Sequence, residues 1–492
     1  MKACFVFDHA AWEIPAARFT VATLASLLEM PWRMTPAGSP LAADEALVFV
    51  GAPDRSPAEA AAVLAVEGWP DWDARSLEVG EFEGVPLPCA PGALAASADP
   101  RVVPAAALRS VGFVLAREEE AQDPRRDQWE CYSGLFSRQH ELGILDRPIV
   151  NALARVLERR LESHAERRHA TIEKLPRWKG GARFAVVLTH DVDDVTLYSA
   201  AMAWRLFHQS AGPSSYAFRA GLAGFVRALR HARDAGDPYW NLDRWMAEEE
   251  RRGFRSSYFF CAPDPARRHE YDPLYRMSDQ VGFEGRRQPL ESVLRAMRAR
   301  GHEVGLHGTY HSYLDGRELE RQRLQIAEAA GGDVTGLRQH FLRFDARTTW
   351  AAQAAAGFGH DCTLGYNEAI GFRAGIAAPF RPWDGRGRRT FDLLEVPLSC
   401  MDGILFRTLK LDGQSAAARV REHLDRVEIS GGLAVLLWHP NAADERHFPG
   451  WWECYLRTLD HLADRGAWVT TAAGVAEWWR ERAARQDRLK CP

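Results

Sequence analysis

From Arg183 onward, short apolar runs alternate with longer helix-patterned stretches, and this alternation constrains the fold more than any other feature of the chain. The runs are "RFAVVLTHD", "FRSSYFF", "HEVGLH", "LRQHFLRF", "GFGHDCTLG", "LLEVPLS", "LAVLLWH" and "AWVTT". Between them lie stretches such as "PLESVLRAMRARG" and "SAAARVREHLDRV". Strands joined through helices run parallel, either as a barrel or as an open sheet. In both architectures chemistry collects at the C-terminal ends of the strands. The polar residues that end these runs should therefore make chemical sense together.

The first 170 residues are patterned differently. "ACFVFD" and "ALVFVGAP" read as buried strands separated by a helix around Phe19–Met30. "SVGFVLAREEE" reads as a further strand running into a charged turn. "DRPIVNALARVLERRLESHAERRHA" places Ile149, Leu153, Val156, Leu157 and Leu161 on one helical face, with Asp146 as cap and Pro148 in the first turn. Pro176, Gly180 and Gly181 then mark a boundary. The expected organisation is an N-terminal α/β accessory domain over residues 1–172 and a second α/β domain over 182–485.

Sixty-two Lys and Arg against 66 Asp and Glu leave a net charge of −4, without the concentrated basic field that nucleic acid or an anionic membrane requires. No apolar run approaches the ~20 residues of a membrane span. Asp8, His9 and Glu13 interrupt the apolar stretch that a secretion signal would need, so a cytoplasmic protein is expected. The eight cysteines are scattered without a CxxC pair and read as reduced, packed thiols.

Three of the runs end in a recognisable set. "AVVLTHDVDD" closes on Asp191, Asp193 and Asp194, "HEVGLHGTYH" on His307 and His311, and "LAVLLWHP" on His439. A carboxylate with two imidazoles spaced i, i+4 is a donor set for a divalent metal, with positions left for water and substrate. Each ending alone has a plainer reading, as a helix cap or a packed histidine. Their occurrence together favours a site.

These motifs resemble those of the polysaccharide deacetylases, the NodB-homology or carbohydrate esterase family four, over about Arg183 to Trp479. "Thr189-His190-Asp191-Val192-Asp193" is similar to the D-x-D variant of the family's first motif, "His307-Gly308-Thr309-Tyr310-His311" to its second, and "Leu437-Trp438-His439" to its last. The resemblance implies a distorted (β/α) barrel. It also implies Asp191 as general base, His439 as general acid, and Asp193, His307 and His311 as ligands of one divalent ion, zinc first among the candidates.

Arg338 would orient Asp191, with Arg343 competing for that role, and His340 stands where the third motif carries proline. No counterpart of the fourth motif is evident. The segment "GFRAGIAAPFRPWD" is similar to one in bacterial members associated with surface polysaccharide, which implies pocket-lining roles for Arg373 and Trp383. Tyr310, His340 and Trp438 join them as expected substrate contacts. The implied activity is removal of N-acyl groups from a sugar or polysaccharide precursor. The alternatives are an amidohydrolase of the same fold acting on a non-sugar C–N bond and a non-catalytic carbohydrate-binding protein.

Overall fold

The computed structural model describes residues 1–95, 97–197 and 239–490, together with 200–208, 219, 221, 222, 225, 226 and 237. Two parallel sheets organise it. The first contains β1 (Lys2–Phe7), β2 (Trp32–Pro36), β3 (Glu45–Gly51), β4 (Ala62–Ala65) and β5 (Val102–Val103), in the order β2-β1-β3-β4-β5. Helices α1 (Pro15–Ser26), α2 (Ala105–Leu115) and α3 (Ile149–Arg167) belong to this region, as does a separate antiparallel hairpin over residues 78–89.

Helix α2 overturns the strand expected over "SVGFVLAREEE". Pro104 and the helix-forming Ala105–Ala107 precede that apolar run, and a short buried run has no periodicity by which to tell strand from helix. Helix α3 forms over the expected stretch, but Pro148 occupies its N-cap and no side chain caps it. Asp146 instead pairs with Arg426 at 2.9 Å.

The second sheet holds the runs that follow Arg183. Its strands are β6 (Ala185–Val192), β7 (Ser257–Phe260), β8 (Glu303–Gly308), β9 (Gly336–Gln339), β10 (His360–Asp361), β11 (Leu394–Glu395), β12 (Cys400–Met401), β13 (Leu433–Leu437) and β14 (Trp468–Thr470). They lie in the order β11-β10-β9-β8-β7-β6-β13-β12, with every neighbouring pair parallel, and β14 also pairs with β6. The helices between them include α4 (Leu242–Arg251), α5 (Leu290–Ala299), α6 (Gly316–Ala330), α7 (Thr349–Ala355), α8 (Gly413–Ser430) and α9 (Trp451–Arg465).

Strand β6 explains the curl of this sheet. One of its edges carries β13 on Ala185–Thr189, while the other is shared by β14 on Ala185–Val187 and β7 on Thr189–Val192. All eight residues of β6 are buried, as expected of a parallel strand covered on both faces. The result is a distorted (β/α) barrel of mixed α/β class.

The hydrophobic core runs without interruption from the first sheet into the barrel. The stretch expected as a boundary carries two of the joining side chains. Arg177 donates from Nε to the Leu27 carbonyl at 2.9 Å and from Nη1 to Gly431 at 3.1 Å, and the Trp178 indole donates to Gly431 at 2.8 Å. Among the described residues no helix is long and apolar enough to cross a membrane. The seven described cysteines are unpaired and buried; Cys491 lies outside the described residues.

Candidate active site

The site sits at the C-terminal ends of β6, β8, β9 and β13, in a cleft of about 310 Å³. A larger groove of about 630 Å³, between the 78–89 hairpin, the start of α3 and Ile429, contains none of the candidate residues. Asp191 and Asp193 alternate with Val192 at the end of β6, so their carboxylates reach the same side of the sheet. Asp191 is 3% exposed, and its Oδ1 accepts from Arg338 Nη1 at 3.1 Å. The same guanidinium donates to Thr189 Oγ1 at 2.7 Å and to the Cys362 carbonyl at 2.9 Å, which fixes its plane. Arg343 is occupied elsewhere, by Glu130 at 2.6 Å and the Tyr313 hydroxyl at 3.1 Å.

His307 closes β8 and turns Nε2 toward Asp193 Oδ1 at 3.2 Å. Its Nδ1 lies 3.1 Å from the Arg338 carbonyl, where it can only donate, so Nε2 keeps its lone pair. The third nitrogen in this cluster comes from His340, just beyond the end of β9, with Nε2 3.5 Å from the same Asp193 oxygen. The Nδ1 of His340 faces Asp272 at 3.9 Å. One ligand atom each from Asp193, His307 and His340 all lie within 4.8 Å of one another.

Two sequence assignments are corrected here. His311 is exposed, and its ring packs edge-on against His269 at 4.9 Å and Tyr310 at 5.0 Å. The i, i+4 spacing aligns two imidazoles only where the backbone stays regular between them, as a helix or as a strand. Here His307 ends a strand, and His311 precedes a 3₁₀ turn over Ser312–Leu314. His340, expected to contact substrate, occupies the vacated donor position because β8 and β9 pair in parallel register, Gly308 opposite Gln339.

His439 follows β13, its Nε2 3.6 Å from Asp193 Oδ2. Its Nδ1 lies 2.9 Å from Asp402, and its backbone N–H donates to the other oxygen of that carboxylate at 2.8 Å. Burial alone would depress the imidazole pKa, but Asp402, with Asp193 and Asp191, raises it to about 9. Burial opposes the charge on Asp193 too, yet His307, His340 and His439 hold its carboxyl well below the usual range. Neighbouring Asp194 is pushed up to about 7 by burial and by Asp193. Sequence reading missed Asp402, although "PLSCMDG" is another apolar run with an acidic end.

The remaining expected substrate contacts lie elsewhere. Arg373 is buried, donating through Nε and Nη2 to Glu120 at 2.7 Å each and through Nη1 to the Gly365 carbonyl at 2.7 Å. Trp383 stacks on Phe19 of α1, centroids 5.1 Å apart. Their segment therefore joins the barrel to the N-terminal region and does not line the cleft, because in both cases a partner from that region fills the space a sugar would need. Trp438 is 2% exposed among Tyr455, Trp245 and Phe406, a core position. Tyr310 is 4% exposed, stacks on His269 at 4.3 Å and lies behind the cleft wall.

The donor chemistry suits a divalent transition ion. Two imidazole nitrogens and a carboxylate oxygen converge, and buried Asp193 Oδ1 accepts no hydrogen bond from the protein. Beside this cluster, Arg338 holds the Asp191 carboxylate and Asp402 holds the His439 imidazole.

No family model matches the chain, and no curated protein matches it. Among solved structures it is similar to a protein classed with the polysaccharide deacetylases from Mycobacterium smegmatis, at 19% identity over 62% of this chain and 93% of that one, TM-score 0.41. It is also similar to the PuuE allantoinase, at 15% identity over 63% and 94%, TM-score 0.41. A third is the peptidoglycan deacetylase PdaC from Bacillus subtilis, at 13% identity over 63% and 98%, TM-score 0.29.

Proposed function

We propose that the protein is a metal-dependent hydrolase that removes N-acyl groups from a sugar or polysaccharide precursor. The observation that carries this reading is the placement, in one cleft, of a three-donor cluster between an arginine-held carboxylate and an aspartate-held imidazole. Asp193, His307 and His340 would hold the ion. A divalent ion bound there supplies Lewis acidity toward the acyl carbonyl and acidifies the attacking water.

The protein's own groups handle the protons. Asp191 Oδ2 is left free of Arg338 and accepts the proton of the attacking water as the new C–O bond forms. His439 Nδ1–H donates to Asp402, so Nε2 faces the cleft and carries the second proton. His439, whose imidazolium form the buried Asp402 carboxylate favours, protonates the departing amine nitrogen. Amine expulsion requires that proton, since an amide anion is a poor leaving group.

The test is to measure deacetylation of an N-acetylated chitin oligosaccharide by the wild type and by Asp193→Ala, after identical dialysis and reloading with zinc. The expected result is turnover in the wild type alone, lost on chelation and restored by metal. Metal-independent turnover, or turnover of cyclic amides without any turnover of the saccharide, would overturn it.

A further inference from the structure

The N-terminal region reaches the cleft. Trp129, far from the barrel in sequence, lines it beside Asp193, His307, His340, Phe341 and Trp451. Its segment is built rather than loosely draped. Asp127 Oδ1 accepts the backbone N–H groups of Trp129 at 2.9 Å and Cys131 at 2.8 Å, and the Trp129 carbonyl accepts the Tyr310 hydroxyl at 3.0 Å. Between them Glu130 adopts φ +59° and pairs with buried Arg343 at 2.6 Å.

The facing turn is equally constrained. Phe341 and Leu342 both take left-handed conformations, at φ +57° and +52°, which non-glycine residues adopt only when their surroundings hold them there. Two donors hold the Phe341 carbonyl, Asn367 Nδ2 at 2.9 Å and the Cys131 thiol at 3.5 Å. The rings of Trp129 and Phe341 lie 6.0 Å apart, tilted by 34°. Part of the Trp129 side chain thus remains open and lines the cleft while its backbone is clamped. An aromatic face held rigid beside a hydrolytic centre suits the apolar C–H face of a pyranose ring, at low entropic cost.

We propose that Trp129 is a saccharide-stacking residue, so that the N-terminal region forms one wall of the substrate site. This inference rests on the reading of the cleft as a sugar site. Its test uses full-length protein and tetra-N-acetylchitotetraose, with binding followed by titration calorimetry apart from turnover. Trp129→Ala should weaken binding about 10-fold and raise KM about as much, with zinc content unchanged. Trp129→Phe should restore most of the affinity, because a ring is what is required.

Three results would overturn the inference: equal affinity in Trp129→Ala, loss of zinc in Trp129→Ala together with no rescue by Phe, or no binding by the wild type. Binding by the wild type that is Trp129-dependent but without hydrolysis would support the stacking wall and refute the proposed reaction instead.

Discussion

Asp402→Asn separates the charge on the imidazole's partner from the partner's shape. Asparagine keeps the shape and one acceptor oxygen, enough for the Nδ1–H of His439 (2.9 Å in the native protein), while its NH2 faces the backbone N–H that the second carboxylate oxygen accepts at 2.8 Å, so one of the two contacts goes with the charge. What disappears is the largest of the negative charges that, against burial, lift the His439 pKa to about 9; Asp193 and Asp191 supply the rest. With that charge gone and burial still opposing the imidazolium, the pKa should fall from about 9 toward the ordinary histidine range. The alkaline limb of the kcat/KM profile should move to lower pH than in the wild type. At an ordinary imidazole pKa of about 6.5, about one molecule in ten would carry the proton at pH 7.5, a rate loss of about 10-fold.

The same substitution has a stability signature in metal-free protein. Because the folded-state pKa lies above the unfolded value, the stabilisation is fully present below pH 6.5 and is lost as pH rises through about 9. Urea unfolding of the wild type should therefore weaken from pH 6 to pH 9.5 more than that of Asp402→Asn. An alkaline limb left in place by the mutation would refute Asp402 as the charge that keeps His439 protonated. Parallel stability slopes would refute the coupling itself.

Three further outcomes follow from the geometry. His340→Ala should abolish stoichiometric zinc retention after dialysis, whereas His311→Ala should retain it; elemental analysis of the two variants decides which histidine completes the set. Asp191→Asn should keep metal and fold but lose turnover by roughly 10²–10⁴, with no rescue on raising zinc. Arg373→Met leaves Glu120 buried with half its partners removed and should cost about 3–5 kcal/mol in denaturant unfolding, read out by circular dichroism.

The parts of the site carried by long buried strands were legible in the sequence. β6, β8 and β13 announce themselves as continuous apolar runs, and their polar ends are Asp191, Asp193, His307 and His439. Arg338 was reached through the resemblance to the family's third motif, and the structure sets it opposite His307 in register. Asp402 escaped because β12 is two residues long and gives no periodicity to extend. The error at His311 came from reading a spacing as a helix where the backbone turns out of a strand. Arg373 and Trp383 have the composition of a sugar-binding loop. Whether an arginine meets a ligand or a buried glutamate depends on Glu120, some 250 positions away, which no local pattern reports.

The same dependence on distant chain explains why the N-terminal region looked like an accessory. Its sheet has a conventional signature, strands and a long helix, and nothing in it points toward catalysis. Its contacts with the site come instead from the irregular stretch around 127–131, where an Asx turn, a left-handed Glu130 and a buried thiol replace regular hydrogen bonding. That stretch bonds the carbonyl of Phe341, one residue beyond His340, so the third nitrogen of the donor cluster is seated on a turn that both halves of the chain hold in place. Arg373 bonds Glu120 across the same seam and Arg117 donates across it to the Tyr366 hydroxyl at 3.1 Å, so the two regions share a core. On the proposed reading of the cleft, the barrel's strand ends supply the reacting groups, while Trp129 lines the space beside them and Cys131 holds the turn that follows His340.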